Sequence, residues 1–118
     1  MSVFYKQGDI VLVPFPFTDN SDTKRRPAII ISNASVNITS DVILLMVTTS
    51  KVDPAFRVVF CDSDLNKPLE SYLTINAHCK KIAVLEKSLI IKKISSFKKE
   101  SKLKEILDKV YSTITLEQ

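Results

Sequence analysis

The chain has 118 residues, of which 45% are hydrophobic and 25% are charged, and its formal net charge is +4. This length provides material for one hydrophobic core, so we expect a single domain over residues 1–118. The sequence has no signal-peptide pattern at its start and no apolar stretch near the roughly 18 to 20 residues that cross a bilayer, which predicts a cytoplasmic protein without membrane contact.

Strands dominate the first half of the chain. Residues 9–15 follow the single glycine, Gly8, and are predicted to form a strand that stops or bulges at Pro14 and Pro16. Residues 18–26 are polar and charged, which predicts a loop. The continuous apolar runs at residues 28–32 and 42–47 predict strands buried on both faces, in the centre of the sheet.

The sequence of the second half of the chain predicts shorter strands and then a helix. Residues 56–61, 71–75 and 78–85 have the composition of strands, and they contain two cysteines that we expect to be reduced and partly buried. A C-terminal helix, capped by Ser96 or Ser101, is predicted from apolar residues at helical spacing: Leu103, Ile106, Leu107, Val110 and Ile114. The expected fold is mainly β, a bent antiparallel sheet or small barrel with this helix on one side.

Three segments carry a resemblance to a known family. They are GDIVLVPFPFTD at residues 8–19, KRRPAIIIS at residues 24–32 and ILLMVTTS at residues 43–50. Their order and spacing resemble the MazF/PemK-like toxins of toxin–antitoxin systems, and the remaining chain is compatible with this family to its end.

The resemblance implies both a fold and an activity. The implied fold is an SH3-like barrel of the CcdB/MazF/PemK type that forms a homodimer. The implied activity is metal-independent and cofactor-free cleavage of single-stranded RNA, leaving a 2′,3′-cyclic phosphate and a 5′-hydroxyl. The implied protein partner is a cognate antitoxin.

Arg26 and two threonines are the main catalytic candidates. Arg26 matches the functional arginine of the family, and a guanidinium can hold a phosphate in a bidentate manner. Thr48 and Thr49 end an apolar strand, where a hydroxyl can face a phosphate, and Ser50 is a weaker candidate of the same kind. Because strand side chains alternate, one threonine should point inward and the other outward, and both assignments stay open.

A later segment departs from the family pattern. Some members have an Arg-x-Asp-Gln segment, whose arginine and aspartate are proposed as acid and base, where this chain reads His78-Cys79-Lys80-Lys81. The carboxylate is missing, so that version of the mechanism does not carry over. His78, the only histidine, is a candidate base or acid, and Lys80 is a candidate phosphate contact.

Further residues are candidates for RNA binding outside the reaction itself. Lys24 and Arg25 can contact flanking phosphates, and Phe17 can offer a stacking face to a base.

Two other functions stay open: a CcdB-like toxin that poisons DNA gyrase without cutting RNA, and a module that binds RNA or antitoxin after losing catalysis.

Overall fold

The computed structural model describes residues 4–15, 24–69 and 75–118. In this part of the chain, six strands form one antiparallel sheet that curls into a half-barrel, in the order β4-β5-β3-β2-β1-β6. The strands and α-helices are β1 (Asp9–Phe15), β2 (Lys24–Ile30), α1 (Ala34–Asn37), β3 (Asp41–Thr48), β4 (Arg57–Phe60), β5 (Ile75–Glu86), β6 (Lys92–Ser96) and α2 (Glu100–Ser112). This architecture confirms the predicted mainly β fold with a C-terminal helix. Neither described helix is long and apolar enough to cross a membrane.

The curled sheet has a hydrophobic cluster on each face. Along β2, Ala28 and Ile30 belong to one cluster and Ile29 belongs to the other, because successive strand side chains point to opposite faces. Helix α2 covers the Ile29 face with Ile106 and Val110. The central position of β2 and β3 and the burial of their apolar runs agree with the prediction from continuous hydrophobicity.

The first hairpin extends further than the sequence predicts. Lys24, Arg25 and Arg26 are strand residues of β2 and not part of a loop, since they pair in register with Phe15, Pro14 and Val13. Their exposed side chains gave the segment its loop-like composition, but the backbone continues the ladder. Residues 16–23, including Phe17 and Pro16, lie outside the described part of the chain.

Two prolines are accommodated inside these strands. Pro14 lies beyond the stretch Asp9 to Leu12 of β1 that pairs with β6. Pro27 of β2 likewise lies just before Ala28, where the pairing with β3 begins. Each proline therefore has a partner strand on one side only, which is where a residue without a backbone N–H is tolerated.

Strand β5 is one long strand where the sequence predicted two. It begins at Ile75 and continues through the segment predicted as a separate strand at 78–85, while residues 71–74 lie outside the described chain. Its pairing with β3 shifts register: Leu45 and Val47 are two residues apart, whereas their partners Ile82 and Ala77 are five apart. Three additional residues of β5 are therefore accommodated in a bulge.

Helix α2 begins and ends differently from the prediction. Lys99 occupies the N-cap without a side-chain hydrogen bond, so neither Ser96 nor Ser101 caps the helix. Backbone hydrogen bonds fix this start instead, because the N–H groups of Lys98 and Lys99 donate to the Asp64 carbonyl. The helix ends at Ser112, and the predicted helical face is wrong at Ile114, which is 66% exposed.

Gly8 allows α2 to pack closely on the sheet. Its φ of +93° lies in the region that favours glycine, and a Cβ there would come within 2.8 Å of a Leu103 methyl group.

Two short elements, α1 and β6, had no periodic apolar pattern and were not predicted. Both cysteines are free thiols, as expected, with Cys79 buried and Cys61 half-buried.

Candidate functional site

A cavity of about 340 Å³ lies where β1, β2 and β3 meet the bulge of β5. Its walls combine segments that are distant in sequence: the end of β1, the middle of β2, the end of β3 with the following loop, and the bulge. The described residues that line it are Phe15, Arg26, Met46, Val47, Thr48, Ser50, Lys51, Val52, His78 and Lys81. Four of the nine residues that the sequence singled out, Arg26, Thr48, Ser50 and His78, thus meet in one cavity.

Arg26 reaches the cavity from the first half of β2, where the side chains are exposed. In the β1–β2 ladder Phe15 pairs with Lys24, so Arg26 is its diagonal neighbour on the same face of the sheet. The guanidinium carbon lies 5.7 Å from the centroid of the Phe15 ring, within the range of a cation–π contact. The Phe15 ring orients the guanidinium of Arg26. The N–H groups of the guanidinium keep the capacity to bind an anion.

The turn after β3 presents its hydroxyl groups to the cavity. The Thr48 Oγ1 accepts a hydrogen bond from the Ser50 backbone N–H at 3.1 Å, and its own O–H stays a potential donor. The Asn76 side chain donates to the Ser50 carbonyl at 3.1 Å and so ties the turn to β5. Thr49 lines only a smaller adjoining pocket of about 70 Å³, which Thr48 also lines.

His78 lies at the start of the β5 bulge and is half-buried. Its Nδ1 is buried and has no hydrogen-bond partner among the described residues. Burial, and then the positive charges of Lys81 and Lys80, lower the pKa of His78 below its usual 6.5. The imidazole is therefore neutral at pH 7 and able to accept a proton.

The charges that line the cavity are all positive. Arg26, Lys51 and Lys81 contribute cations, and no carboxylate is among the described lining residues. None of the three cations forms an ion pair with a carboxylate of the described chain. Such a cavity attracts anions, and phosphate groups in particular.

Several sequence candidates lie elsewhere. Lys80 is exposed and its Nζ lies 4.3 Å from the centroid of the Phe56 ring, outside the cavity lining. Lys24 and Arg25 are exposed on β2 beside the cavity without lining it. Phe17 is outside the described residues.

Six of the ten described lining residues were not site candidates from the sequence: Phe15, Met46, Val47, Lys51, Val52 and Lys81. Three of these have an aromatic ring or a charge that could contact a ligand. Phe15 was assigned to a strand without a role, and Lys51 directly follows the Thr-Thr-Ser motif that had already drawn attention. Lys80, and not Lys81, was selected when the segment from His78 to Lys81 was compared with the Arg-x-Asp-Gln segment of the family. In a regular strand Lys80 would also share the face of His78, and Lys81 would point to the opposite face. Only the bulge reverses that expectation.

Neither a metal site nor a reactive thiol is evident near the cavity. No three His, Cys, Asp or Glu side chains in residues 4–15, 24–69 and 75–118 are grouped so that they could hold a metal ion. Burial raises the pKa of the Cys79 thiol to about 11, which keeps it protonated and unreactive beside His78.

The curled sheet and its cationic cavity define a small β protein with a cavity lined by positive charges. The sequence model of the PemK-like, MazF-like toxins of type II toxin–antitoxin systems matches residues 6–114, and the chain belongs to this family. The predicted family is thereby confirmed. The comparison with curated proteins gave no match.

Solved structures share the fold over nearly the whole chain. An endoribonuclease from a mycobacterial species is 18% identical with a TM-score of 0.76, covering 100% of this chain and 98% of that one. A mycobacterial endoribonuclease in complex with its cognate antitoxin is 16% identical with a TM-score of 0.74, covering 97% and 98%. The Mycobacterium tuberculosis toxin MazF-mt6 is 14% identical with a TM-score of 0.70, covering 93% and 99%. These likenesses confirm the MazF-type fold.

Proposed function

We propose that this toxin is an endoribonuclease that cuts single-stranded RNA without a metal. The observation that carries the proposal is the meeting of Arg26, Thr48 and His78 around one cation-lined cavity. A neutral imidazole, a hydroxyl donor and a fixed guanidinium are the groups that RNA transesterification requires. The family membership and the endoribonucleases among the similar structures support the same activity.

The proposed reaction assigns one task to each group. His78 accepts the proton of the ribose 2′-hydroxyl, whose oxygen attacks the adjacent phosphorus. Arg26 and the Thr48 hydroxyl donate to the non-bridging oxygens, where negative charge builds up. As the bond from phosphorus to the 5′-oxygen breaks, that oxygen takes a proton from water, and a 2′,3′-cyclic phosphate and a 5′-hydroxyl are left.

Residues around the cavity extend the proposed RNA site. The Ser50 hydroxyl lies in the lining beside Thr48, and Thr49 faces the adjoining pocket that Arg26 also lines. We propose that Lys24 and Arg25, which are exposed on β2, contact phosphates that flank the cut.

We also propose two protein partners. The first is a cognate antitoxin that lays a peptide segment across the RNA site, since one similar structure is an endoribonuclease in complex with its cognate antitoxin. The second is another copy of this chain. Ile82 and Val84 of β5 are 39% and 64% exposed on one face of the sheet, and a homodimer would remove these apolar side chains from water.

The catalytic role of Arg26 is tested by comparing two adjacent arginines. With chelator present, Arg26→Ala should lower the cleavage rate of bound RNA by about 10²- to 10³-fold, as loss of a transition-state donor does. Arg25→Ala removes the same charge outside the cavity lining, so it should weaken binding of long RNA and leave that rate unchanged. Equal rates in the two variants would contradict the assignment, and tight binding of intact RNA by the wild type would identify a binding-only module.

A further inference from the structure

The bulge in β5 changes which lysine faces the cavity. Between Ala77 and Ile82 the strand accommodates three residues more than β3 does between Val47 and Leu45. In a regular strand His78 and Lys80 would share a face and Lys81 would point to the opposite one. The bulge breaks this alternation, as bulges commonly do where a side chain must be redirected.

The two lysines consequently have different surroundings. Lys81 lines the cavity together with His78 and Arg26. Lys80 instead places its ammonium group 4.3 Å from the Phe56 ring centroid in a cation–π contact, and neither residue is part of the cavity lining. Adjacent residues of equal charge thus serve different purposes, one at the cavity and one in packing.

The charge of Lys81 is available to a ligand. It is exposed and forms no ion pair with a described carboxylate, and no carboxylate is among the described residues that line the cavity. An ammonium group is a compact donor that binds phosphate oxygens as a point charge. Across the cavity Lys51 adds a second such charge from the loop after β3.

We propose that Lys81, placed by the β5 bulge, is a substrate-binding residue that contacts a phosphate of the RNA backbone in the cavity. This inference rests on the proposed ribonuclease function and assigns it a residue that strand alternation would not select. Because Lys81 is a point charge without base-reading geometry, its contribution is independent of RNA sequence.

The matched variants Lys81→Gln and Lys80→Gln test the inference. The probe is a single-stranded oligonucleotide with 2′-deoxy sugars, which cannot be cleaved through a 2′-hydroxyl, and its affinity is measured across a range of salt concentrations. Loss of one phosphate contact should reduce the slope of log affinity against log salt by about 0.7 in Lys81→Gln. Lys80→Gln should keep the wild-type slope, and Lys81→Arg should restore it.

Cleavage of RNA by the same proteins separates this inference from the function on which it rests. An unchanged slope in Lys81→Gln, or an equal loss in Lys80→Gln, would overturn the role of Lys81 even if the wild type cuts RNA. A wild type that neither cuts RNA nor binds the oligonucleotide would overturn the ribonuclease proposal and this inference with it. Circular dichroism of each variant establishes that the fold is retained.

Discussion

At the scale of single residues, His78 has the properties of a general base. A carboxylate neighbour would raise the pKa of an imidazole, but the charges that shift the pKa of His78 are the ammonium groups of Lys81 and Lys80, which lower it. Together with burial, they keep the ring neutral and ready to take a proton at pH 7. The aspartate proposed as the base in some family members is missing here, and His78 on β5 could serve as the base in its place.

This environment predicts a specific dependence of the cleavage rate on pH. Protonated His78 cannot act as a base, so kcat/KM should fall as the pH drops through its pKa, which lies below 6.5. As the pH rises above 6.5 the deprotonated imidazole should predominate, and the rate should approach a plateau. Nuclear magnetic resonance of the only histidine gives the pKa directly.

The variant His78→Gln should lower kcat/KM by about 10²- to 10⁴-fold and lose the decline at acid pH. If the variant keeps the same acid decline as the wild type, another group is the base.

At the scale of elements, two side chains outside the cavity hold its wall. The loop after β3 carries Ser50, Lys51 and Val52. The Asn76 amide donates to the Ser50 carbonyl at 3.1 Å, and the Arg57 guanidinium donates to the Val52 carbonyl at 3.2 Å. These bonds fix the loop to β4 and β5, so the hydroxyl groups of the turn keep their place relative to His78.

Asn76→Ala should impair both this positioning and the stability of the fold. Asn76 is 8% exposed, so its loss should lower the free energy of unfolding by about 1 to 2 kcal/mol. We also expect a roughly tenfold lower cleavage rate for bound RNA, because the turn is no longer held in register.

Asn66→Ala is the control, since its amide donates to the Ser96 Oγ at 2.8 Å outside the cavity lining. It should leave the rate unchanged. A normal rate in Asn76→Ala as well would show that the turn is held without this bond.

Most of these elements, and part of the candidate site, could be predicted from the sequence. Strands β1 to β4 and the body of α2 were found within a few residues, because their apolar patterns reflect burial that the fold then provides. Arg26, Thr48 and His78 were selected by motif and chemistry. Lys81 was not selected from the sequence. Its direction depends on the bulge, which arises from the pairing of β5 with β3 and not from a local sequence pattern.

At the scale of the whole molecule, the curled sheet gathers groups that no single element contains. Phe15, Arg26, Thr48 and His78 come from four different strands and meet only because β5 lies against β3, and β3 and β1 each lie against β2. The hydrophobic clusters on the two faces stabilise this arrangement. The sheet leaves a cationic opening of about 340 Å³.

The central claim is that this cavity cuts RNA by attack of the neighbouring 2′-hydroxyl. The most direct measurement incubates the purified chain with a long single-stranded RNA and with the same RNA carrying one 2′-deoxy sugar at the cut site, both in excess chelator. We expect cleavage of the first RNA to a 2′,3′-cyclic phosphate and a 5′-hydroxyl, and no cut at the modified position of the second. Cleavage at the 2′-deoxy position, or products with 5′-phosphate ends, would contradict it.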